Sequence, residues 1–287
     1  MKPVYEWDRD VLLGSLLFTP LHAVLEVMDN AEFPVLEDCN SLLKLRNPQI
    51  TVSSGKPLRF IPQEHGKLPF ERQYEPRCYL SGEVPTRANN WHDLFNALAW
   101  LTFPQTKAAL NMRHYHALKY REMAVSGSQR GVVRDVNTLF DESGVIVASS
   151  DPGLIRLLRE FRWKELFWYR RELVREAMDF LIFGHSLYEK ALEPYVGMTG
   201  QGVVVEVGQE YFTMPVYERV GYLDRLLATR MSDTGLYSDT RDLNPVPLLG
   251  IPGWTEDNEY AAYYDNTSYF RSGRRKSTSA GNQALLS

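Results

Sequence analysis

The sequence predicts an α+β fold, a mainly helical single domain with two or three short β-hairpins. Three observations favour this class. Apolar residues recur at helical spacing in several long segments, β-branched runs flank short turn sequences, and hydrophobic residues make up 44% of the 287 residues, enough for a substantial core. We expect one domain over residues 1–271 and a disordered basic tail over residues 272–287, which is poor in apolar side chains.

The composition argues against several classes of protein. A net charge of −4, from 32 basic and 36 acidic residues, is not that of a protein built to coat nucleic acid. The longest apolar runs, VLLGSLLF and MDFLIF, are far shorter than the roughly 20 residues of a membrane span. Only Cys39 and Cys78 occur, without CxxC spacing, which argues against a thiolate zinc site and a disulfide framework. We expect a cytoplasmic protein that does not enter the membrane.

The first 85 residues predict short elements. Thr19-Pro20 opens a helix through LHAVLEVMDN, where Leu21, Val24, Leu25 and Met28 form an apolar stripe. The stretch ITVSSGKPLRFIP, residues 50–62, predicts a hairpin around Ser-Gly. Residues 66–85 contain three closely spaced prolines and predict a loop.

Residues 89–103 predict a helix with an apolar core face and an opposite face that lacks long charged side chains. Asn90 is the expected N-cap, and Asp93 at the third helical position favours the helix start through the dipole and by reaching back to the N-cap amide. The core face carries Trp91, Leu94, Phe95, Leu98 and Leu101. The opposite face carries His92, Asn96 and Ala99 and no Lys, Glu, Gln or Arg, so we expect it to be semi-buried.

Pro104 ends the first helix and starts a second one. Lys107, Asn111 and His114 share one face of this second helix, whereas His116 points to the other side. The two helices therefore predict a polar cleft between this face and the His92–Asn96 pair. The alternative is a hydrogen-bonded packing network between the helices, and the sequence leaves both open.

The second half alternates predicted strands and helices. Residues 132–149 predict a hairpin whose turn is Asp141–Gly144. Asp151 and Pro152 open a helical region that extends from Leu154 to about Ala191, with a break near Phe161–Trp163 and a bend at Gly184. QGVVVEV and EYFTMPVY predict strands, and the Pro-rich, aromatic segment 242–270 predicts a strap packed over the surface.

Two further groups of residues have chemical potential. Asp141 and Glu142 offer carboxylates for a divalent cation or a general base, although Asp-Glu-Ser-Gly is also an ordinary turn. His185 and Glu189 are four residues apart, with Arg171 and Arg175 expected on the same side of the helix. This set predicts either a metal site with phosphate contacts or an ion-pair network. The sequence contains no Gly-rich phosphate loop, HExxH or GxSxG motif.

Five ordered segments resemble bacterial proteins grouped as domain-of-unknown-function family 3025. They are NNWHDLFNALAWLTFPQTKAALNMRH, NTLFDESGVIV, WKELFW, FGHSLYEKAL and PVPLLGIPGW, and the similarity spans roughly residues 50 to 270. The resemblance implies a cytoplasmic bacterial protein that forms one domain. It implies no activity and no catalytic residues, so the functional hypotheses rest on residue chemistry.

The favoured hypothesis is a hydrolase or transferase with a His/Asn/Asp cleft, assisted by a divalent metal ion and acting on a small or phosphorylated molecule. His92 would be the general base, oriented by Asp93 or Asn96, with His114 and His185 as further catalytic residues. Asp141 and Glu189 would bind metal, and the expected substrate contacts are Asn90, Lys107, Asn111, Arg171 and Arg175. The alternatives are an RNA- or protein-binding module that uses the arginines and the tail, and a small-molecule sensor.

Overall fold

The computed structural model describes residues 5–123, 129–233 and 236–273, the side chains of 121–123 and 129–135 excepted. The predicted α+β, mainly helical class is confirmed. The helices are α1 Arg9–Leu13, α2 His22–Leu25, α3 Leu36–Lys44, α4 Tyr74–Ser81, α5 Trp91–Thr102, α6 Pro104–Met123, α7 Gln129–Ser143, α8 Pro152–Arg159, α9 Arg171–Ala177, α10 His185–Ala191 and α11 Val216–Ser232. The strands are β1 Arg59–Pro62, β2 Glu83–Thr86, β3 Gly144–Ser149, β4 Met178–Ile182, β5 Thr199–Glu206 and β6 Asn244–Pro247.

The centre of the fold is a mixed four-stranded sheet with the order β4-β3-β5-β6. Strand β3 runs antiparallel to β4 and parallel to β5, so that Ile146 lies between Leu181 and Val203. All six residues of β3 are buried. A strand covered on both faces needs apolar side chains at every position, which explains why its sequence does not alternate.

Helices cover the two faces of this sheet with two separate hydrophobic clusters. Val145 and Val147 point into one cluster, which also contains the core residues of α5, α8, α9 and α10. Ile146 and Ala148 point into the other, together with residues of α6, α7 and α11. The period of two along a strand therefore divides the core into two layers. No helix in the described parts of the chain has the length and apolar content needed to cross a membrane.

The N-terminal third differs from its prediction in three places, the first being that the helix expected through LHAVLEVMDN ends at Leu25. The Ser-Gly turn exists, with Thr51 bridged to Pro57, but strand β1 pairs in parallel with β2 instead of closing a hairpin. Residues 74–81, predicted as loop, form helix α4. Pro76 lies within the first turn of α4, where the missing amide proton costs no intrahelical hydrogen bond. The apolar stripe from Leu21 to Met28 is buried as predicted.

Three predictions in the second half are wrong. The first arm of the expected 132–149 hairpin belongs to α7, because Val136 and Phe140 pack into the core at helical spacing. The expected helix from 154 to 191 breaks at Phe161 as predicted, but it is also interrupted by strand β4. The stretch EYFTMPVY, expected as a strand, forms a 3-10 turn and the start of α11, whereas QGVVVEV lies in β5 as predicted.

The strap predicted over residues 242–270 contains β6 and a series of 3-10 turns. Tyr264, Tyr269 and Phe270 are buried, and the Tyr269 hydroxyl donates to the Met198 carbonyl over 2.7 Å. Side chains of this segment therefore complete the core layer over one face of the sheet. Residues 274–287 of the predicted tail lie outside the described residues.

The junctions at the edge of the β3–β4 pair are unusually tight. Helix α7 ends at Ser143 directly before β3, and α10 begins at His185 soon after β4. The amides of Phe183 and Gly184 both donate to the Gly144 carbonyl, over 3.0 and 2.9 Å. A Cβ atom on Gly184 would lie 2.4 Å from the Gly144 nitrogen, closer than packing permits. Gly184 is thus required for the two helix ends to meet.

We predict that Gly184→Ala lowers the free energy of unfolding by roughly 1–3 kcal/mol, because the new methyl group would push two backbone segments apart. Gly221→Ala is the matched control, since its Cβ would meet only the Arg225 guanidinium at 3.6 Å inside α11. That substitution should be neutral or stabilise by up to about 1 kcal/mol. Urea denaturation measures both effects, and equal stability of the two variants would contradict the steric account.

Candidate metal centre

Six of the predicted site residues line one cleft of about 330 Å³. They come from four helices, α5, α6, α7 and α10, that meet at the edge of the central sheet: His92, Asp93, Asn96, His114, Asp141 and His185. The remaining lining residues are Gln63, Tyr74, Glu75, Pro85, Arg87, Thr138 and Glu142. A polar cleft is therefore present beside the His92–Asn96 face, although Lys107 and Asn111, predicted on its opposite wall, are not among the residues that line it.

Three side chains in the cleft present metal-ligating atoms to one another. His92 Nε2 lies 3.5 Å from Glu142 Oε2, and His185 Nε2 lies 3.6 Å from the same oxygen. All three ligand atoms lie within 4.8 Å of one another. The two imidazole rings meet edge to face, with centroids 4.5 Å apart. Two histidines and one carboxylate in this arrangement have the composition of a catalytic metal site with open positions.

Each imidazole has a carboxylate on its other nitrogen. His92 Nδ1 lies 3.2 Å from Asp93 Oδ1, and His185 Nδ1 lies 3.7 Å from Asp141 Oδ2. Metal-binding histidines usually direct their second nitrogen to a carboxylate, which fixes the ring orientation and the tautomer. Both rings direct Nε2 towards Glu142; His92 Nδ1 is within hydrogen-bonding distance of its carboxylate, whereas His185 Nδ1, 3.7 Å from Asp141, makes no hydrogen bond.

Each of these two carboxylates is held by a cation. Asp93 accepts from the Arg87 amide at 2.7 Å and from the Arg87 guanidinium at 2.6 and 3.0 Å. Asp141 accepts from Lys107 Nζ at 2.6 Å. The expected bond from Asp93 back to the N-cap amide is therefore replaced by its bonds to Arg87. The Ser186 hydroxyl donates to Glu142 Oε2.

The two histidines of the centre have pKa values shifted in opposite directions. The hydrogen bond to Asp93, together with Glu142, raises the pKa of His92 to about 9. Burial lowers the pKa of His185 to about 4. Burial also disfavours ionised Glu142, but the two histidines outweigh this effect and hold its pKa at about 2. Near neutral pH the metal-free centre therefore contains an imidazolium at His92, a neutral His185 and an ionised Glu142.

Asn90 and Asn96 occupy the positions that the sequence predicts, the N-cap of α5 and its semi-buried polar face. Asn90 caps the helix, with its side-chain oxygen 3.0 Å from the Asp93 amide, so this side chain is committed to the backbone. Asn96 lies on the face that the sequence predicted to be semi-buried, and every residue from Asp93 to Leu101 is buried. Asn96 Nδ2 donates to the Tyr74 hydroxyl at 2.7 Å.

The polar residues of α6 are bound to other side chains or line the cleft. Lys107 Nζ donates to Asn96 Oδ1 at 2.9 Å as well as to Asp141. Asn111 Nδ2 donates to Glu75 Oε2 at 2.6 Å. His114 is buried on the cleft wall, whereas His116 is exposed and packs beside Tyr79. Lys107 and Asn111, predicted as substrate contacts, are thus bound to other protein groups.

Three predicted site residues lie elsewhere. Arg171 is buried against the strap, where it donates to the Asn258 carbonyl at 2.9 Å and pairs with Glu259. Arg175 pairs with Glu172 at 2.8 Å. The expectation that these arginines share a helix face with His185 is wrong, because strand β4 separates α9 from α10. Glu189 lines a neighbouring cavity of about 590 Å³ that shares His92 and Glu142 with the cleft.

The sequence alone underrated Glu142 and did not find Tyr74 or Arg87. The residue types of Asp141–Gly144 predict the tip of a hairpin, and this makes Glu142 a turn residue. The apolar residues Val136, Leu139 and Phe140 have helical spacing, and this signal places Glu142 in the last turn of a helix. Nothing in the local sequence marks Tyr74 or Arg87, which reach the cleft through contacts distant in the chain.

The fold and this centre together define an α+β protein with a candidate metal site of two histidines and one glutamate. A comparison with protein families matches residues 58–274, more than half of the chain, to the proteins of unknown function called DUF3025. The chain therefore belongs to the DUF3025 family, as the resemblance of its five segments indicated. Comparisons with curated proteins and with solved structures gave no match.

We predict that the two histidines titrate in opposite directions in metal-free protein. In chelator-treated protein, NMR titration should place the pKa of His92 near 9 and that of His185 near 4, on either side of the ordinary value of 6.5. Asp93→Asn should lower the pKa of His92, because the hydrogen bond to that carboxylate is the largest contribution to the rise. Coincident titration of both rings near 6.5 would contradict the described geometry.

Proposed function

We propose that the chain is a metal-dependent hydrolase whose metal ligands are His92, Glu142 and His185. The observation that carries this proposal is the convergence of His92 Nε2, His185 Nε2 and Glu142 Oε2, with a carboxylate beside the second nitrogen of each ring. Ion-pair networks also join histidines to carboxylates. Such networks do not require the Nε2 atoms of two rings to face the same carboxylate oxygen. The shared contact of both Nε2 atoms with Glu142 Oε2 therefore favours a metal site.

Two of the three separations between the ligand atoms fit a small divalent ion. Zinc bonds of about 2.0–2.2 Å in tetrahedral geometry place neighbouring ligand atoms roughly 3.3–3.5 Å apart. The His92–Glu142 and His185–Glu142 separations are 3.5 and 3.6 Å. The ligand set of two histidines and one glutamate is that of several catalytic zinc sites, and a similar set holds Fe(II) in oxygenases. We propose zinc, and metal analysis of the purified protein distinguishes the two ions.

The other residues of the cleft have supporting roles in this proposal. Asp93 and Asp141 orient the two imidazoles, and Ser186 holds Glu142 in place. A divalent ion at these ligands would lower the pKa of a water molecule towards neutrality and polarise a substrate oxygen. His92, predicted as the general base, thus becomes a ligand. His114, a buried imidazole on the cleft wall, is the group that we assign to proton transfer.

Two other proposed features of the protein concern its surroundings. We place the enzyme in the bacterial cytoplasm, and the two buried, unpaired cysteines, Cys39 and Cys78, are compatible with a reducing compartment.

An RNA-binding role through the arginine segment is less favoured, because Arg171 and Arg175 are both paired with acidic side chains. A sensor with the same centre would bind the metal without turnover, so a screen for hydrolysis separates these two functions.

We predict that His92→Ala, His185→Ala and Glu142→Gln each abolish stoichiometric zinc binding, since each removes one of three protein ligands. The measurement is mass-spectrometric metal analysis and calorimetric titration of protein that has been stripped with a chelator and reloaded with zinc. His116→Ala is the matched control, because this histidine is exposed and lies outside the cleft. It should bind zinc as the unmodified protein does. Zinc binding that survives all three ligand substitutions would refute the assignment.

A further prediction concerns the carboxylate behind His92. Asp93→Asn should weaken zinc binding by about 10- to 100-fold, because loss of this partner leaves the imidazole less basic and less firmly oriented. The same calorimetric titration measures the change. Asp179→Asn, which alters a carboxylate bonded to Tyr211 and Arg219 and outside the cleft, is the control. An equal loss of affinity in both variants would mean that the effect is a general one on the fold.

A further inference from the structure

Tyr74 is a cleft residue without an assigned role. It is the first residue of α4 and lines the same cleft as the three ligands. Its hydroxyl oxygen accepts a hydrogen bond from Asn96 Nδ2 over 2.7 Å. A tyrosine hydroxyl in a closed site can donate to an oxygen that gains negative charge during a reaction. Whether Tyr74 can donate in this way depends on where its own proton points.

Lys107 decides the direction of that proton. The ammonium group of Lys107 only donates, and it lies 2.9 Å from Asn96 Oδ1, so the amide oxygen must face the lysine. The amide nitrogen of Asn96 must then face Tyr74, and the phenolic oxygen must accept its proton. The Tyr74 proton therefore cannot point towards Asn96. Lys107 is itself held by Asp141 at 2.6 Å, so the ammonium group stays beside Asn96 Oδ1 and the Asn96 amide keeps this orientation.

The proton of Tyr74 remains available for a stronger acceptor. The thiol of Cys78, one helical turn further along α4, is a neighbouring group of the phenol. A thiol sulfur is a weak acceptor, whereas hydrogen bonds to a charged oxygen are about twice as strong as neutral ones. Burial raises the pKa of Tyr74 well above its usual value, so the phenol keeps its proton. A substrate oxygen that gains charge would compete successfully with Cys78.

The charges around the cleft indicate the kind of substrate. Of the cations in contact with it, Arg87 is paired with Asp93 and Lys107 with Asp141. The residues that line the cleft also include Glu75 and Glu142, which contribute two further carboxylates. Phosphoryl groups are bound by arginine or lysine side chains that are free to contact several oxygens. Among the described lining residues of this cleft, the neutral donors Tyr74, Gln63 and Thr138 instead suit the uncharged oxygen of a carbonyl group.

We propose that Tyr74 is a catalytic residue that donates a hydrogen bond to the carbonyl oxygen of a neutral amide or ester substrate. This assignment rests on the proposed function, because the oxygen gains its charge next to the metal ligands. Asn96 and Lys107 are positioning residues, which act by directing the Tyr74 hydroxyl. A phosphorylated substrate, expected among the possibilities from sequence, does not fit this site.

The test uses acetohydroxamate, a metal-binding molecule with a carbonyl-derived oxygen, as the probe for zinc-loaded full-length protein. Zinc content is measured first, and calorimetry then gives the affinity for the probe. Tyr74→Phe should weaken binding of the probe by about 10- to 100-fold, as expected for one hydrogen bond to a charged oxygen. Tyr79→Phe is the matched control on the same helix, because its ring stacks on Tyr115 at 4.2 Å outside the cleft.

Asn96→Asp separates a directed hydroxyl from a merely structural one. An aspartate there would accept from both Lys107 and Tyr74, and so would turn the Tyr74 proton away from the substrate. This variant should therefore lose affinity for acetohydroxamate to a similar extent although the tyrosine is intact. The double variant Tyr74→Phe/Asn96→Asp should show no further loss, because both changes remove the same hydrogen bond.

The outcomes distinguish this inference from the proposed function. Failure of the unmodified protein to bind zinc overturns both. With full zinc loading, an unchanged affinity for acetohydroxamate in Tyr74→Phe, or an equal loss in Tyr79→Phe, overturns the role of Tyr74 alone. Binding of inorganic phosphate more tightly than acetohydroxamate by the unmodified protein would overturn the substrate class. Parallel and non-additive losses in Tyr74→Phe and Asn96→Asp support the proposal.

Discussion

The candidate centre depends on a backbone contact at the edge of the central sheet. The antiparallel pairing of β3 with β4 places the end of α7 beside the start of α10, and the Gly144 carbonyl accepts from two amides there. Glu142 and His185 are separated by more than forty positions in the sequence but are brought together by this pairing. Side chains added at Gly184 would separate them. The geometry of the ligands is therefore a consequence of strand register, which buried strands specify strongly.

A second constraint is that buried charges need partners. The two histidines, two aspartates and the glutamate would be costly to bury without partners, and the fold places each of them next to a group of opposite charge or a hydrogen-bonding group. Arg87 holds Asp93, which holds His92, and Lys107 holds Asp141, which faces His185. Each chain of contacts begins with a cation and ends at Glu142. The contact with Asp93 that makes burial tolerable also fixes the direction of the His92 ring, and Asp141 lies 3.7 Å from Nδ1 of His185.

The features of this site that could be predicted from sequence are the local ones. The Asn90 cap, the second helix from Pro104, the buried polar face with His92 and Asn96, and the separation of His114 from His116 all follow from helical geometry. The failures occurred where tertiary contacts decide. The apolar run MDFLIF fits a buried strand as well as a helix, and this ambiguity concealed β4 and misplaced Arg171 and Arg175. Likewise, turn residues at 141–144 concealed the helix that carries Glu142.

The sequence left open whether the helix pair forms a packing network or a chemical site, and the hydrogen bonds between these helices are compatible with both. Lys107, Asn96 and Tyr74 form a chain of hydrogen bonds that satisfies polar groups between α4, α5 and α6. Because an ammonium group can only donate, the same chain fixes which end of the Asn96 amide faces Tyr74. A network that stabilises packing thus also sets the direction of a hydroxyl at the cleft. Polar residues buried for packing can in this way prepare a site for chemistry without further cost to the fold.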